Sequence, residues 1–155
     1  MASPFRRILV PHDFSEHATR ALKLAAELAA QVNGKLRVLH AIPPFYPVTD
    51  LAPAELTAWV PPPELLAAEK ARLERLVAKV VKGPGAPAVE CQVVIGDPYQ
   101  RILEAAEGMD AIVMSTHGRT GLAHLLIGSV AEKVVRHAPI PVLTIRPTDK
   151  RHARD

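Results

Sequence analysis

Three short stretches carry side chains that can do chemistry. The first is Pro11-His12-Asp13, directly behind the apolar run Ile8-Leu9-Val10. The second is His40-Ala41-Ile42, which closes the run Leu36 to Ile42. The third is Ser115-Thr116-His117-Gly118-Arg119-Thr120-Gly121, behind Ala111-Ile112-Val113-Met114, with Gly128-Ser129 following at a helix start. Glycine has no Cβ and lets backbone amides approach an anion closely. A helix N-terminus adds unpaired N–H groups and partial positive charge, and Ser129 adds a hydroxyl. These features predict an anion cradle between the loop after the fourth strand and the last helix. A tight turn against a close-packed helix end would use the same glycines.

Other chemistries lack their patterns. There is no G-x-x-x-x-G-K-[ST] and no G-x-G-x-x-G behind the first strand. Ser129 has no G-x-S-x-G setting, and no catalytic base stands beside the glycine loop. His12, His40 and His117 fall near strand ends and, with Asp13, have the ligand types of a His/carboxylate metal site. No H-x-x-x-H spacing supports one, and each histidine alone reads better as a hydrogen-bonding neighbour of its loop.

The elements that must position these residues alternate. Apolar runs at 8–10, 36–42, 89–95, 111–114 and 142–145 read as strands buried on both faces. Between them, Ala18, Ala21, Leu22, Ala25, Leu28, Ala29 and Val32 form an amphipathic stripe, capped by Ser15 or Asp13 and ended by Asn33-Gly34. A second helix is predicted from about Glu64 to Lys82. A third begins at Asp97-Pro98 and ends at Gly108, and a fourth runs from about Ser129 to before Pro139. Strand–helix alternation predicts an α/β fold, an open parallel sheet with helices on both faces. Ligands in such sheets bind beyond the carboxyl ends of the strands, where all three chemical stretches lie.

With 155 residues, 48% apolar and 23% charged, the chain suits one globular domain. That domain is expected over residues 1–147, with a basic tail at 148–155. A proline-rich insertion spans 43–63 and holds seven of the fifteen prolines. Its Phe45, Tyr46, Leu51, Leu56 and Trp59 fit equally a loop packed on its own domain or a lid or partner contact. The single cysteine, Cys91, forms no internal disulfide. The net charge is only +3 and aromatics are 4%, so no nucleic-acid surface is expected. No apolar run approaches the length of a membrane span, and the N-terminus lacks a signal-peptide pattern. A cytoplasmic protein is the expectation.

The chain resembles the universal stress protein family from about Phe5 to Pro147. RRILVPHDFSEHATRALKLAAELA looks like that family's first strand, acidic turn and helix, and VLHAI like its second strand. IVMSTHGRTGLAHLLIGSVAEKVVRHAPIPVLTIRP is the most specific part. The family's nucleotide-binding branch carries G-2x-G-9x-G-[ST]. Gly118 and Gly128-Ser129 match it, with Ser115 in place of the first glycine. The resemblance implies five strands in the order 3-2-1-4-5, a Rossmann-like sheet of the adenine nucleotide alpha hydrolase type. It implies ATP with Mg2+ as ligand and nucleotide modulating a dimer or partner state; the lack of a catalytic base beside the glycine loop predicts that hydrolysis is slow or absent. Asp13 would meet the ribose or the phosphate-bound metal, and the Ala41 backbone would read adenine. Pro11 and Met114 would border the base and sugar. Ser115, His117, Gly118, Gly128, Ser129 and Val130 would line the phosphates, with Arg119 and Thr120 as possible contributors. The resemblance also implies a homodimer through the last strand, Val142 to Ile145. That strand suits a second reading too, a dimeric interaction module that binds no nucleotide. The downstream protein partner is not written in the sequence.

Overall fold

The computed structural model describes residues 5–44, 60–118 and 127–147. Most of the insertion, the Arg119–Gly121 segment and the basic tail lie outside these residues. The elements run β1 (Arg7–Pro11), α1 (Glu16–Gln31), β2 (Lys35–Ile42), α2 (Pro63–Val80), β3 (Ala88–Ile95), α3 (Pro98–Ala105), β4 (Ala111–Ser115), α4 (Ser129–His137) and β5 (Val142–Ile145). The sheet is five-stranded and parallel, in the order β3-β2-β1-β4-β5. The expected topology is therefore the observed one.

Two apolar layers flank this sheet. On one face Ala21, Leu22, Ala25 and Ala29 of α1 and Leu73 and Val77 of α2 pack on Ile8, Val10, Leu36, Val38 and Val113. On the other, Ile102 of α3 and Ala131 and Val134 of α4 pack on Leu9, Leu39, Ile112 and Met114. Each fully buried aliphatic side chain contributes about 1.5–3 kcal/mol. β4 is buried throughout and β1 and β2 over at least half of their length, whereas β3 and β5 have no fully buried residue. They are the sheet's edges, so the expectation of cover on both faces holds only for its middle.

Local chemistry sets the helix ends. Ser15, not Asp13, caps α1, with its Oγ accepting the Ala18 N–H at 3.1 Å. Asn33 takes a positive φ of 51° after α1, and Gly34 follows because a Cβ there would lie 2.7 Å from the Arg6 carbonyl oxygen. Asp97 caps α3 and Pro98 opens it. Two helices are shorter than expected. α2 stops at Val80, and α3 stops at Ala105, so Gly108 (φ 72°) sits in the turn beyond.

Candidate functional site

The site grows from the places where β1, β2 and β4 stop. Pro11, Ala41 and Ser115 belong to the last rungs of those strands rather than to the loops beyond them. All ten residues expected at the site line one cavity of about 380 Å3: Pro11, Asp13, Ala41, Met114, Ser115, His117, Gly118, Gly128, Ser129 and Val130. It falls within the roughly 300–1,000 Å3 range of small-molecule pockets. Sequence reasoning did not name Pro98 and Ile102 of α3, which also line it. Their signal was available, since α3 begins at the carboxyl end of β3 and so faces the same crevice.

One end of the cavity is the cradle. The Thr116 carbonyl accepts the Gly128 N–H, and the Thr116 N–H donates to the Ile145 carbonyl at 3.0 Å. Gly128 is thus tied to Thr116, and Thr116 to the end of β5. A Cβ on Gly128 would lie 3.1 Å from that same Thr116 oxygen, so the tie favours glycine. Gly128 is the N-cap of α4 and gives no side-chain cap. The leading N–H groups of α4 begin at Ser129 and Val130, which line the cavity. They bring the positive end of the helix dipole to it. The Ser115 Oγ accepts the His117 N–H at 3.2 Å, which shapes the turn and leaves the cavity open.

Asp13 stands against Gly118, beside these groups. Its Oδ1 accepts the Ser15 N–H at 3.0 Å, which fixes the carboxylate at the head of α1. Its Oδ2 faces Gly118, where a Cβ would lie 2.6 Å away. The sequence reading wanted glycine here so that backbone amides could approach an anion. The structure adds a second reason, the Asp13 carboxylate itself. The residue between Asp13 and Ser15 is strained: Phe14 has φ 63°, unusual for an aromatic side chain. Its N–H donates to His12 Nδ1 at 3.0 Å.

The three histidines do not converge on a metal. His12 is 3% exposed, with Nδ1 occupied by Phe14 and Nε2 3.2 Å from the Thr19 hydroxyl. Because Nδ1 accepts, Nε2 carries the proton and the ring is neutral. Burial holds His12 at a pKa of about 4, with Asp13 opposing the shift and His40 adding to it. His40 Nδ1–H donates to the His12 carbonyl at 2.8 Å. His117 pairs with the Thr116 hydroxyl at 2.8 Å. Among the described residues no three His, Cys, Asp or Glu side chains gather to hold a metal ion.

Pro11, Met114, Pro98 and Ile102 give the cavity an apolar lining that Ala41 shares. Pairing of β1 with β2 ends at Pro11↔Leu39, and the His12 N–H still reaches the Leu39 carbonyl at 2.8 Å. Backbone groups on a strand alternate sides, so the Ala41 N–H and carbonyl point the same way as those of Leu39. They lie beyond the last rung of β1 and edge the cavity.

An open parallel α/β sheet with a cavity at the carboxyl ends of its strands, bordered by the start of α4, defines the class. The chain belongs to the universal stress protein family of stress-response proteins, whose sequence profile, described as "Universal stress protein family", matches residues 4–146. A universal stress protein of Thermus aquaticus is 36% identical over 147 residues, covering 92% of this chain and 99% of the relative. The solved structure of universal stress protein UspA from Lactobacillus plantarum matches with a TM-score of 0.70 at 28% identity, over 92% of this chain and 98% of that one. A universal stress protein from Archaeoglobus fulgidus, solved in complex with dAMP, matches with a TM-score of 0.62 at 25% identity, over 92% and 99%. Among the described residues no helix is long and apolar enough to cross a membrane.

Proposed function

We propose that this chain binds ATP with Mg2+ and uses occupancy, rather than turnover, to set the state of a dimer or of a protein partner in the cytoplasm. The observation that carries the reading is the cavity at the carboxyl ends of β1, β2 and β4. It joins an apolar lining with the Ala41 backbone edge to Gly118 and the uncapped start of α4. A nucleoside phosphate has that same division of chemistry. The Archaeoglobus fulgidus relative solved with dAMP adds support at the level of the family.

The residues fit the ligand. Pro11 and Met114 would flank base and sugar, and Ala41 would face the base edge. Ser115, His117, Gly118, Gly128, Ser129 and Val130 would surround the phosphates. Asp13 is the one carboxylate lining the cavity among the described residues. One carboxylate suffices for Mg2+, which commonly completes its shell with phosphate oxygens and water. When bound, the metal would neutralise phosphate charge. Phosphoryl transfer also needs a positioned nucleophile. Asp13 is tied through Oδ1 to Ser15, and His117 through Nδ1 to Thr116, which supports binding over hydrolysis.

Two copies would pair through β5, an edge strand of the sheet with Leu143 exposed on it. Sedimentation of the protein with and without Leu143→Asp tests this pairing, with a shift from dimer to monomer expected. For the ligand, heat-denatured protein is expected to release nucleotide, and calorimetry with a non-hydrolysable ATP analogue and Mg2+ to show one site per chain. Neither release nor binding would leave the dimeric interaction module as the function. Rapid ATP turnover abolished by Asp13→Ala would overturn binding without hydrolysis.

A further inference from the structure

The β1–β2 ladder ends in an unusual way. After Pro11↔Leu39 the His12 N–H still donates to the Leu39 carbonyl. In a parallel ladder the next bond would run from the Ala41 N–H to the His12 carbonyl. Regular pairing stops first, and the His12 carbonyl accepts His40 Nδ1–H at 2.8 Å. A side chain of β2 has taken the acceptor that the backbone of β2 would otherwise use.

That imidazole is held from several sides. His40 is 6% exposed. The Phe14 ring meets it edge-on at 4.6 Å between centroids. The Arg72 guanidinium lies 3.8 Å above the Phe14 ring, and Arg72 Nη1 is 3.5 Å from Glu69 Oε2. The same Glu69 oxygen is 3.9 Å from His40 Nε2. Two residues of α2 therefore clamp the ring and, with it, the strained turn that carries Asp13.

We propose that His40 is a positioning residue: by occupying the His12 carbonyl it forks β1 from β2 and reserves the Ala41 N–H and carbonyl for the edge of an adenine ring. This rests on the nucleotide reading above and extends it to base selection. Adenine offers an acceptor at N1 and a donor at its 6-amino group, matching the Ala41 N–H and carbonyl. Hypoxanthine reverses both groups and sets donor against donor and acceptor against acceptor. If the His12 carbonyl were released, the Ala41 N–H would be drawn into the ladder and discrimination would fall.

The test pairs two amides that differ in where the N–H sits. In H40N the side-chain nitrogen takes the place of Nδ1; in H40Q it takes the place of Nε2 and cannot reach the His12 carbonyl. Calorimetry with ATP and with inosine triphosphate, each with Mg2+, reads the preference. Wild type and H40N are expected to prefer ATP by at least about tenfold, and H40Q to lose most of that preference. Wild type binding neither nucleotide overturns the nucleotide reading itself. Wild type binding both equally, H40Q keeping the preference, or H40N losing it overturns the role of His40 alone. Should H40Q fail to fold, the imidazole 15N spectrum of the wild type decides: protonated Nδ1 is expected, and unprotonated Nδ1 overturns the proposal.

Discussion

The two ends of the same sheet are built to opposite rules. At the amino ends the chain closes on itself. The Arg7 N–H and guanidinium both donate to Asp110 at 2.8 Å, and the Asp110 N–H returns a bond to the Arg7 carbonyl. The Lys35 N–H binds the Arg6 carbonyl, and Gly34 packs flat against Arg6. A depression of about 610 Å3 lies there, wider than the cavity opposite, but it is lined by this Arg7–Asp110 pair and by Arg6, whose guanidinium reaches the Asn33 carbonyl. At the carboxyl ends the chain keeps strain and unspent polarity instead. Phe14 holds a left-handed backbone, a conformation costing about 1–3 kcal/mol, and α4 starts without a side-chain cap. Volume alone therefore does not mark the site. What marks it is polar capacity left open, which crossover helices aim at the carboxyl ends of a parallel sheet.

The largest expected effect sharpens this contrast through His12. Its folded pKa is about 4 against an ordinary 6.5. The unfolded chain binds the proton first, so His12 supports the fold fully above pH 6.5 and loses that support as pH falls toward 4. The shift corresponds to about 3 kcal/mol. Urea unfolding of wild type and His12→Gln across this window is expected to show the difference between them shrinking as pH falls. A constant difference would mean that the buried ring does not carry the strained end. Next comes Gly118→Val, whose Cβ meets the Asp13 carboxylate and whose branches enter the cradle. Calorimetry should show ATP affinity down about 100-fold, near 2.7 kcal/mol, with little change in the unfolding midpoint. A stability loss with affinity intact would reverse the assignment of strain and function between the ends.

Much of this was legible in the sequence because its signals are local. Ser15, Asn33 and Asp97-Pro98 mark helix ends within a few residues of where they act. Gly118, Gly128 and Ser129 lie close together in the chain, so their meeting at one cavity followed from spacing. The histidines were read as hydrogen-bonding neighbours of their loops, which they are, but their particular partners are decided in three dimensions. Nothing beside His12 announces that the Phe14 N–H will turn back onto Nδ1, since a left-handed backbone is expected at glycine or asparagine, not phenylalanine. Glu69 and Arg72 reach Phe14 and His40 across the whole insertion, and no periodicity within α2 points to that contact. Pro98 and Ile102 were missed for a different reason: the topological rule was applied to strand ends but not to the helix that starts there.

The smaller effects probe the closed end. Gly34→Ala puts a Cβ 2.7 Å from the Arg6 carbonyl, a backbone atom that cannot swing away. A loss of about 1–3 kcal/mol in urea unfolding is expected, with ATP affinity unchanged. Asp110→Ala should do least. The Arg7 side chain is half exposed, and exposed ion pairs contribute little. The hydrogen bond from Arg7 holds the Asp110 carboxyl below the usual carboxylate range, so whatever the pair contributes is present at neutral pH and fades only in acid. A slightly lower unfolding midpoint at pH 7, converging with wild type as Asp110 protonates, is the expected outcome. Nucleotide affinity should not move, because β1 and β4 separate this pair from the cavity by their full length. A drop in affinity from Asp110→Ala would mean that the register of the two central strands is set at their amino ends and read out at the other, and the two ends would then have to be treated as one coupled unit.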